Sequence, residues 1–255
     1  MALEIVTVPC RTDNYAYLLR DIATGTVALV DAPEAAPIRA ALAARGWTLD
    51  MILITHHHDD HVAGVEDLRS AFDPEVVGAE ADRYRLPRLD RAVVGGDTVA
   101  VGEALGNVME VPGHTIGHIA YFFPDGPALF SADSLMVMGC GRLFEGSPEQ
   151  MWDSLGRMAA LPGETLVYSG HEYAEANMAF ARALDPGHAP TRDRAAEIAR
   201  VRARGEPTVP ARLDLERRTN PFLRAVDPAL KAELGMPSSS DAQVFAAIRR
   251  RKDSF

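Results

Sequence analysis

The sequence predicts a mixed α+β/α-β fold, short strands gathered into helix-covered sheets, followed by a smaller all-α domain at the C-terminus. Three observations carry this expectation. Apolar runs of strand length recur through the first two-thirds of the chain, punctuated by turns and a few helical stretches. After about Tyr173 the strand signal stops, and Ala- and Arg-rich helical segments continue to the end, broken at Asp185-Pro-Gly, between Pro207 and Pro210, and at Pro237. Histidines and aspartates collect immediately after several of the apolar runs. A domain boundary is therefore expected at 172/173, between a strand-rich domain of residues 1–172 that carries these histidines and aspartates and a helical domain of residues 173–255.

In chain order, strands are expected over Leu3 to Val8, Tyr15 to Leu19, Thr26 to Val30, Met51 to Ile54, Val76 to Gly78, Thr98 to Val101, Asn107 to Val111, Ile119 to Phe123, Ala128 to Ser131 and Thr165 to Tyr168. A helix is expected from Pro37 to Arg45, closed by Gly46, and another from Val62 to Phe72. Ser147-Pro-Glu-Gln150 places an N-cap, a first-turn proline and a reciprocal glutamine at the head of a helix reaching Leu161. Ser240-Asp-Ala-Gln243 offers the same box to the last helix.

The run Thr55-His-His-His-Asp-Asp-His61 holds the most chemistry. If the chain leaves the Met51 to Ile54 strand extended, the two-residue period sends His56, His58 and Asp60 to one side and His57 and Asp59 to the other. His61 follows at the head of a helix, able to fold back over the same spot. Imidazole and carboxylate donors suit zinc, iron or manganese better than calcium or magnesium, which prefer all-oxygen shells. His114, Asp133 and His171 each stand just beyond an apolar run, so further donors can reach the same edge of a sheet.

The pattern resembles the metallo-β-lactamase superfamily and, within it, the hydroxyacylglutathione hydrolase (glyoxalase II) family. It is carried by Thr55 to His61, Pro112-Gly-His-Thr-Ile-Gly-His118, Ser131-Ala-Asp-Ser134 and Ser169-Gly-His-Glu-Tyr173, and by Asp13-Asn-Tyr-Ala-Tyr17, Gly139-Cys-Gly-Arg-Leu-Phe-Glu-Gly146, Asn220-Pro-Phe222 and Arg249-Arg-Arg-Lys-Asp253. The resemblance implies a four-layer αβ/βα sandwich with the helical domain appended. It also implies a ligand set: His56, His58 and His114 on one divalent ion, Asp60, His61 and His171 on a second, and Asp133 bridging. Zinc leads as the metal, with iron and manganese compatible. Two divalent ions, two aspartates and one hydroxide leave a net charge of about +1, which favours a developing oxyanion. No catalytic side chain is expected beyond the metal-bridging hydroxide, whose parent water has its pKa drawn from ~15.7 toward ~7.

The substrate implied is an S-(2-hydroxyacyl)glutathione such as S-D-lactoylglutathione, cleaved to glutathione and D-lactate in the second step of methylglyoxal detoxification. A thiol of pKa near ~8.5 leaves without a dedicated general acid. Projected at about 100° per residue, Arg249 and Lys252 fall beside Phe245 and Ile248 on the buried side of the last helix, with Arg250 and Arg251 elsewhere. By resemblance, Arg142, Tyr173, Arg249 and Lys252 contact the tripeptide; a guanidinium can grip a carboxylate through two hydrogen bonds. Phe144 stands where that family often carries tyrosine, removing a hydroxyl contact. Two readings stand beside this one: a mononuclear iron persulfide dioxygenase of the same superfamily, and a non-catalytic di-iron redox or sensor module.

Composition narrows the classes. With 47% hydrophobic residues in 255, the chain can bury a large core. A formal charge of -10 argues against a nucleic-acid partner, which would call for a basic face. No apolar run approaches the ~20 residues of a membrane span. G-x-S-x-G, Walker-A and G-x-G-x-x-G motifs are all missing, so serine-hydrolase, nucleotide-triphosphatase and dehydrogenase readings fall away. Two cysteines and an N-terminus, Met1-Ala-Leu-Glu-Ile5, without a basic leader lead to the expectation of a cytoplasmic location; a small-molecule substrate and a monomer are also expected.

Overall fold

Parallel strands buried on both faces need a continuous apolar sequence, and Val27 to Val30 and Ile52 to Ile54 supply it. A computed structural model describes residues 3–255; the expectation resting on Met1 and Ala2 lies outside them. The chain divides into two compact units, residues 3–110 with Gly117–Ala132, and Val111–Ile116 with Asp133–Phe255.

In the first unit, β1 (Leu3–Cys10), β2 (Asn14–Asp21), β3 (Val27–Val30), α1 (Ala35–Arg45), β4 (Met51–Leu53), α2 (Asp59–Val62), α3 (Val65–Phe72), β5 (Glu75–Ala79) and β6 (Arg91–Val93) precede β7 (Thr98–Val101), β8 (Ala104–Glu110), β9 (Ile119–Phe123) and β10 (Ala128–Ala132). One sheet runs β1-β2-β3-β4-β5-β6, antiparallel through β3 and parallel from there. A second surface of β10-β9-β8-β7 is antiparallel throughout. Helices α1 and α3 cover one face of the first sheet, where Ile38, Leu42, Val65 and Leu68 join Leu18, Leu29, Ile52 and Val76 in a single core. Between the sheets, Tyr17 meets Phe130 at 5.6 Å between ring centroids, and Tyr121 donates its hydroxyl to the Ile54 carbonyl at 2.9 Å.

Register follows from these faces. In β7, Val99 and Val101 are buried while Thr98 and Ala100 are exposed. A one-residue slip would reverse them, costing about 1.5–3 kcal/mol for each valine brought to the surface.

The second unit contains β11 (Leu135–Met136), β12 (Gly139–Cys140), α4 (Pro148–Ala159), β13 (Leu166–Ser169), α5 (Ala174–Leu184), α6 (Ala189–Ala203), β14 (Ala211–Arg212), α7 (Leu213–Thr219), α8 (Pro228–Glu233) and α9 (Asp241–Asp253). Helix α9 packs on α4, bringing Phe245 6.1 Å from Trp152 and 5.8 Å from Phe222. Both expected capping boxes form, at Ser147/Gln150 and Ser240/Gln243. Gly46 closes α1 in the left-handed region, φ 65°.

Three expectations about elements need correction. The helix expected from Val62 begins at Asp59 and breaks at Gly64, where a Cβ would lie 2.8 Å from the Ala35 nitrogen. The last part of the second unit is not wholly helical, since β14 pairs antiparallel with β13. Short strands β6, β11 and β12 went unanticipated, each too brief for a two-residue period to register. Among the described residues no helix is long and apolar enough to cross a membrane.

Candidate metal centre

Parallel pairing of β3 with β4 builds the first donor group. Val30 sits opposite Leu53, and the Asp31 amide continues the ladder to the Leu53 carbonyl at 3.1 Å, so Asp31 arrives beside Thr55 at the carboxyl ends of both strands. Asp31 adopts φ 56°, unusual for a residue with a Cβ, and its carboxylate is buried. That carboxylate accepts from the Thr55 amide (2.8 Å) and hydroxyl (2.8 Å) and lies 2.8 Å from His61 Nδ1. A proton on Nδ1 leaves the His61 lone pair on Nε2, the arrangement seen when a carboxylate orients a metal-binding imidazole.

His56 is fully buried, its Nδ1 3.0 Å from the Thr55 hydroxyl and its ring stacked on His118 at 4.6 Å. His118 therefore packs against a donor and steadies its plane. His56 Nε2 lies 3.2 Å from His58 Nδ1, and the His61 ring is 4.2 Å from that of His56. Asp31, His56 and His61 offer ligand atoms within 4.8 Å of one another.

Asp60 reaches this group differently from the extended geometry expected. It lies in the short helix α2, where Asn14 donates Nδ2 to its carbonyl (3.0 Å) and to Oδ2 (3.1 Å). Helix formation wins because Asp59 and Asp60 occupy a first turn, where carboxylates complement unsatisfied amides. The expected divergence of His57 and Asp59 does hold. His57 Nδ1 sits 3.0 Å from Asp82 Oδ2, and Asp59 pairs at the surface with Arg11.

The second unit brings His114, Asp133 and His171 together. Both His114 Nε2 and His171 Nε2 stand 3.4 Å from the same Asp133 oxygen, Oδ2. Asp133 follows Ala132, which is held at φ 41°, so a tight left-handed step aims the carboxylate. His114 Nδ1 lies 2.8 Å from the Arg142 carbonyl, which sets the tautomer and presents Nε2 as acceptor. Gly141 must be glycine: its Cβ would fall 2.0 Å from the Asp133 carbonyl oxygen and 2.8 Å from His114 Nδ1. His171 stacks on Tyr173 at 4.7 Å and 8° between planes, and His114 meets the edge of the exposed Phe144 ring at 5.3 Å.

The donors fit divalent ions on their own chemistry. His56 Nε2 and His58 Nδ1 3.2 Å apart, and the Nε2 atoms of His114 and His171 both 3.4 Å from Asp133 Oδ2, suit a cation wherever those nitrogens offer their lone pairs.

The basic residues expected near the substrate also lie in the second unit. Arg249 is 5% exposed, its Nε and Nη2 on Asp253 (3.0 and 2.8 Å) and its Nη1 donating to the Cys140 carbonyl at 2.9 Å. Arg142 is open to solvent, with Nε 3.9 Å from Asp253. Lys252 is half-buried, donates to the Ala176 carbonyl at 3.0 Å and lies over Phe180 and Phe255. Its ammonium pKa is lowered by burial and then by the charges of Arg249 and Arg142. As the helical projection required, Arg250 and Arg251 are exposed.

Sequence reasoning missed Asp31, Asn14 and Asp82. A carboxylate directly after the Val27–Val30 run was the available signal for Asp31, and Asn14 lay inside the Asp13 to Tyr17 segment of the resemblance without a role assigned to it; nothing local distinguished Asp82.

A sheet-borne metal centre of this composition defines the metallo-β-lactamase class. Residues 11–171 match the family model described as metallo-beta-lactamase superfamily, and residues 172–255 match hydroxyacylglutathione hydrolase C-terminus. A hydroxyacylglutathione hydrolase of Ruegeria pomeroyi is 58% identical over the full length of both chains. The chain belongs to the hydroxyacylglutathione hydrolase family. Among solved structures, ETHE1 from Myxococcus xanthus superposes with a TM-score of 0.67 at 27% identity, covering 98% of this chain and 90% of that one. TTHA1623 in a di-iron-bound form gives 0.62 at 28% identity, covering 86% and 100%.

Proposed function

We propose that the protein hydrolyses the thioester of an S-(2-hydroxyacyl)glutathione, S-D-lactoylglutathione foremost, releasing glutathione and the 2-hydroxy acid. The observation that carries this reading is the match of family and site together: full-length similarity to hydroxyacylglutathione hydrolases, on a chain whose strand ends present preset imidazole acceptors beside aspartates.

His56, His58 and His114 are assigned to one divalent ion and Asp60, His61 and His171 to the other, and Asp133, whose Oδ2 stands 3.4 Å from both His114 and His171, is assigned to both ions. Bound there, two such ions supply water ionised near neutral pH and an electrophile for the thioester carbonyl. The protein's part is orientation. Asp31 and the Arg142 carbonyl hold the protons of His61 and His114 on Nδ1, while Asn14 steadies Asp60. The thiolate product needs no protonating side chain, because its conjugate acid has a pKa near ~8.5. Zinc is the assigned metal; the imidazole and carboxylate set accepts iron or manganese equally in kind.

Glutathione carries free carboxylates, and Arg142 and Lys252 are the cations assigned to them. Burial first, and then the charges of Arg249 and Arg142, lower the Lys252 pKa, and an arriving carboxylate would offset those two charges, which supports the assignment. Arg249 shares Asp253 with Arg142, so an incoming carboxylate competes for that pair, and Tyr173 completes the pocket from its place against His171. One chain supplies every assigned group, so a monomer suffices. A cytoplasmic location is supported by two buried free thiols, Cys10 and Cys140, whose pKa values burial pushes up to about 12 and about 11.

The test follows the loss of thioester absorbance with S-D-lactoylglutathione, before and after chelation, alongside metal content per chain. Turnover that vanishes on chelation and returns with zinc, iron or manganese is expected. Turnover that survives complete metal removal refutes the reading, and one iron per chain with oxygen uptake and sulfite formation replaces it with a persulfide dioxygenase.

A further inference from the structure

We infer that Asn177, Glu216 and Asn220 are positioning residues for the metal centre, acting by clamping the hairpin of β11 and β12 that joins Asp133 to the Arg142 carbonyl. The hairpin has two rungs, Leu135 with Cys140 and Met136 with Gly139, and a ribbon that short does not hold its own shape. Its backbone is gripped residue by residue from the helical segments. Asn220 Nδ2 donates to the carbonyls of Met136 (3.2 Å) and Gly139 (2.9 Å), and Asn177 Nδ2 donates to that of Val137 (3.0 Å). The Met138 amide donates to Glu216 Oε2 at 2.8 Å, and Asn220 Nδ2 also reaches that oxygen at 3.1 Å.

The clamping side chains are buried, Glu216 and Asn220 entirely. Burial raises the Glu216 pKa, against the pull of Arg194, whose Nη2 stands 3.7 Å away. Removing a carboxyl from water is costly, and a stretch that needed only stability would be served as well by apolar packing. Geometry at the hairpin shows what the polar clamp secures. Met138 is held at φ 58°, a conformation that persists in a residue with a Cβ only when its surroundings impose it. Gly139 leaves room for Asn177, whose Nδ2 would be 2.4 Å from an added Cβ.

Both ends of the hairpin meet proposed metal donors. Asp133 lies just before Leu135, and beyond Cys140 come Gly141, packed on the Asp133 carbonyl, and Arg142, whose carbonyl orients His114. Loosening the clamp therefore shifts a carboxylate and turns an imidazole together, without touching either.

This inference rests on the metal assignment above, and the experiment separates the two. In the full-length holoenzyme, metal release to excess chelator, kcat, KM and thermal unfolding are compared for the parent, Asn220→Ala, Asn177→Ala and Glu216→Gln. Asn220→Ala is expected to release metal about 10- to 100-fold faster, in line with the loss of groups that orient ligands, and to lower kcat with KM unchanged. Asn177→Ala, which removes one bond, is expected to shift in the same direction by less. Glu216→Gln keeps an oxygen for the Met138 and Asn220 donors and is expected to retain metal as the parent does. Folded Asn220→Ala or Asn177→Ala protein with a lower melting temperature but parental metal release and kcat overturns the inference and leaves the metal assignment standing. Should Asn220→Ala not fold, Asn177→Ala decides on the same criteria. A parent that binds no metal overturns both.

Discussion

Replacing Asp31 by asparagine keeps shape and volume while removing one acceptor, and the structure says what must follow. Oδ1 accepts from the Thr55 amide, while Oδ2 takes the Thr55 hydroxyl and faces His61 Nδ1. An asparagine has one oxygen for these two positions. If the oxygen faces Thr55, the new NH2 points at His61 Nδ1 and drives the ring proton to Nε2, the atom assigned to metal. If the oxygen faces His61, two N–H donors oppose each other at the Thr55 amide, in a site sealed from water. Either outcome leaves a buried polar group unmatched, at about 1–3 kcal/mol. With a tenfold change for each ~1.4 kcal/mol, metal affinity is expected to fall about 5- to 150-fold if that cost falls on the bound state. Competition against a chromophoric chelator measures it, and kcat with metal in excess reports whether His61 recovers its tautomer. Parental metal affinity and parental kcat in a folded Asp31→Asn protein would refute the reasoning.

Two further outcomes follow from the same structure. Phe144→Tyr adds a hydroxyl to an exposed ring that already packs edge-on to His114, and is expected to lower KM for the glutathione thioester by about 2- to 10-fold, the value of one hydrogen bond of ~0.5–1.5 kcal/mol; an unchanged KM removes Phe144 from the pocket. Asp90 accepts from the Val76 amide (3.0 Å) and from Arg69 (2.8 Å), and these hold its carboxyl below the usual carboxylate range. A lowered folded pKa means that the native state binds fewer protons than the unfolded one, so its stabilisation is complete above about pH 4 and drains away as pH falls through the folded value. Urea denaturation of metal-free protein is expected to show a shallower loss of stability below pH 4 in Asp90→Asn than in the parent, and parallel curves would contradict it.

Legibility in the sequence tracked the range of the interaction. Ser147 with Gln150 and Ser240 with Gln243 satisfy helix ends within one turn, so spacing alone identified them, as it did the left-handed Gly46. Pattern failed where the next few residues were not the partners. Asp60 was expected on an extended segment, yet Asn14 holds it from a strand 46 positions away, on a helix that starts before the histidine run has ended. The hairpin at β11 and β12 was invisible because its shape comes from α5 and α7, not from any period of its own.

Residue types at strand exits were enough to announce divalent metal chemistry, because imidazole and carboxylate donors so placed have few other uses. Which carboxylate stands behind which imidazole was settled only on folding. Asp31 meets His61 across 30 positions because β3 lies parallel to β4 with Val30 opposite Leu53, and such a register depends on burial of whole strand faces, a property that no local stretch of sequence contains.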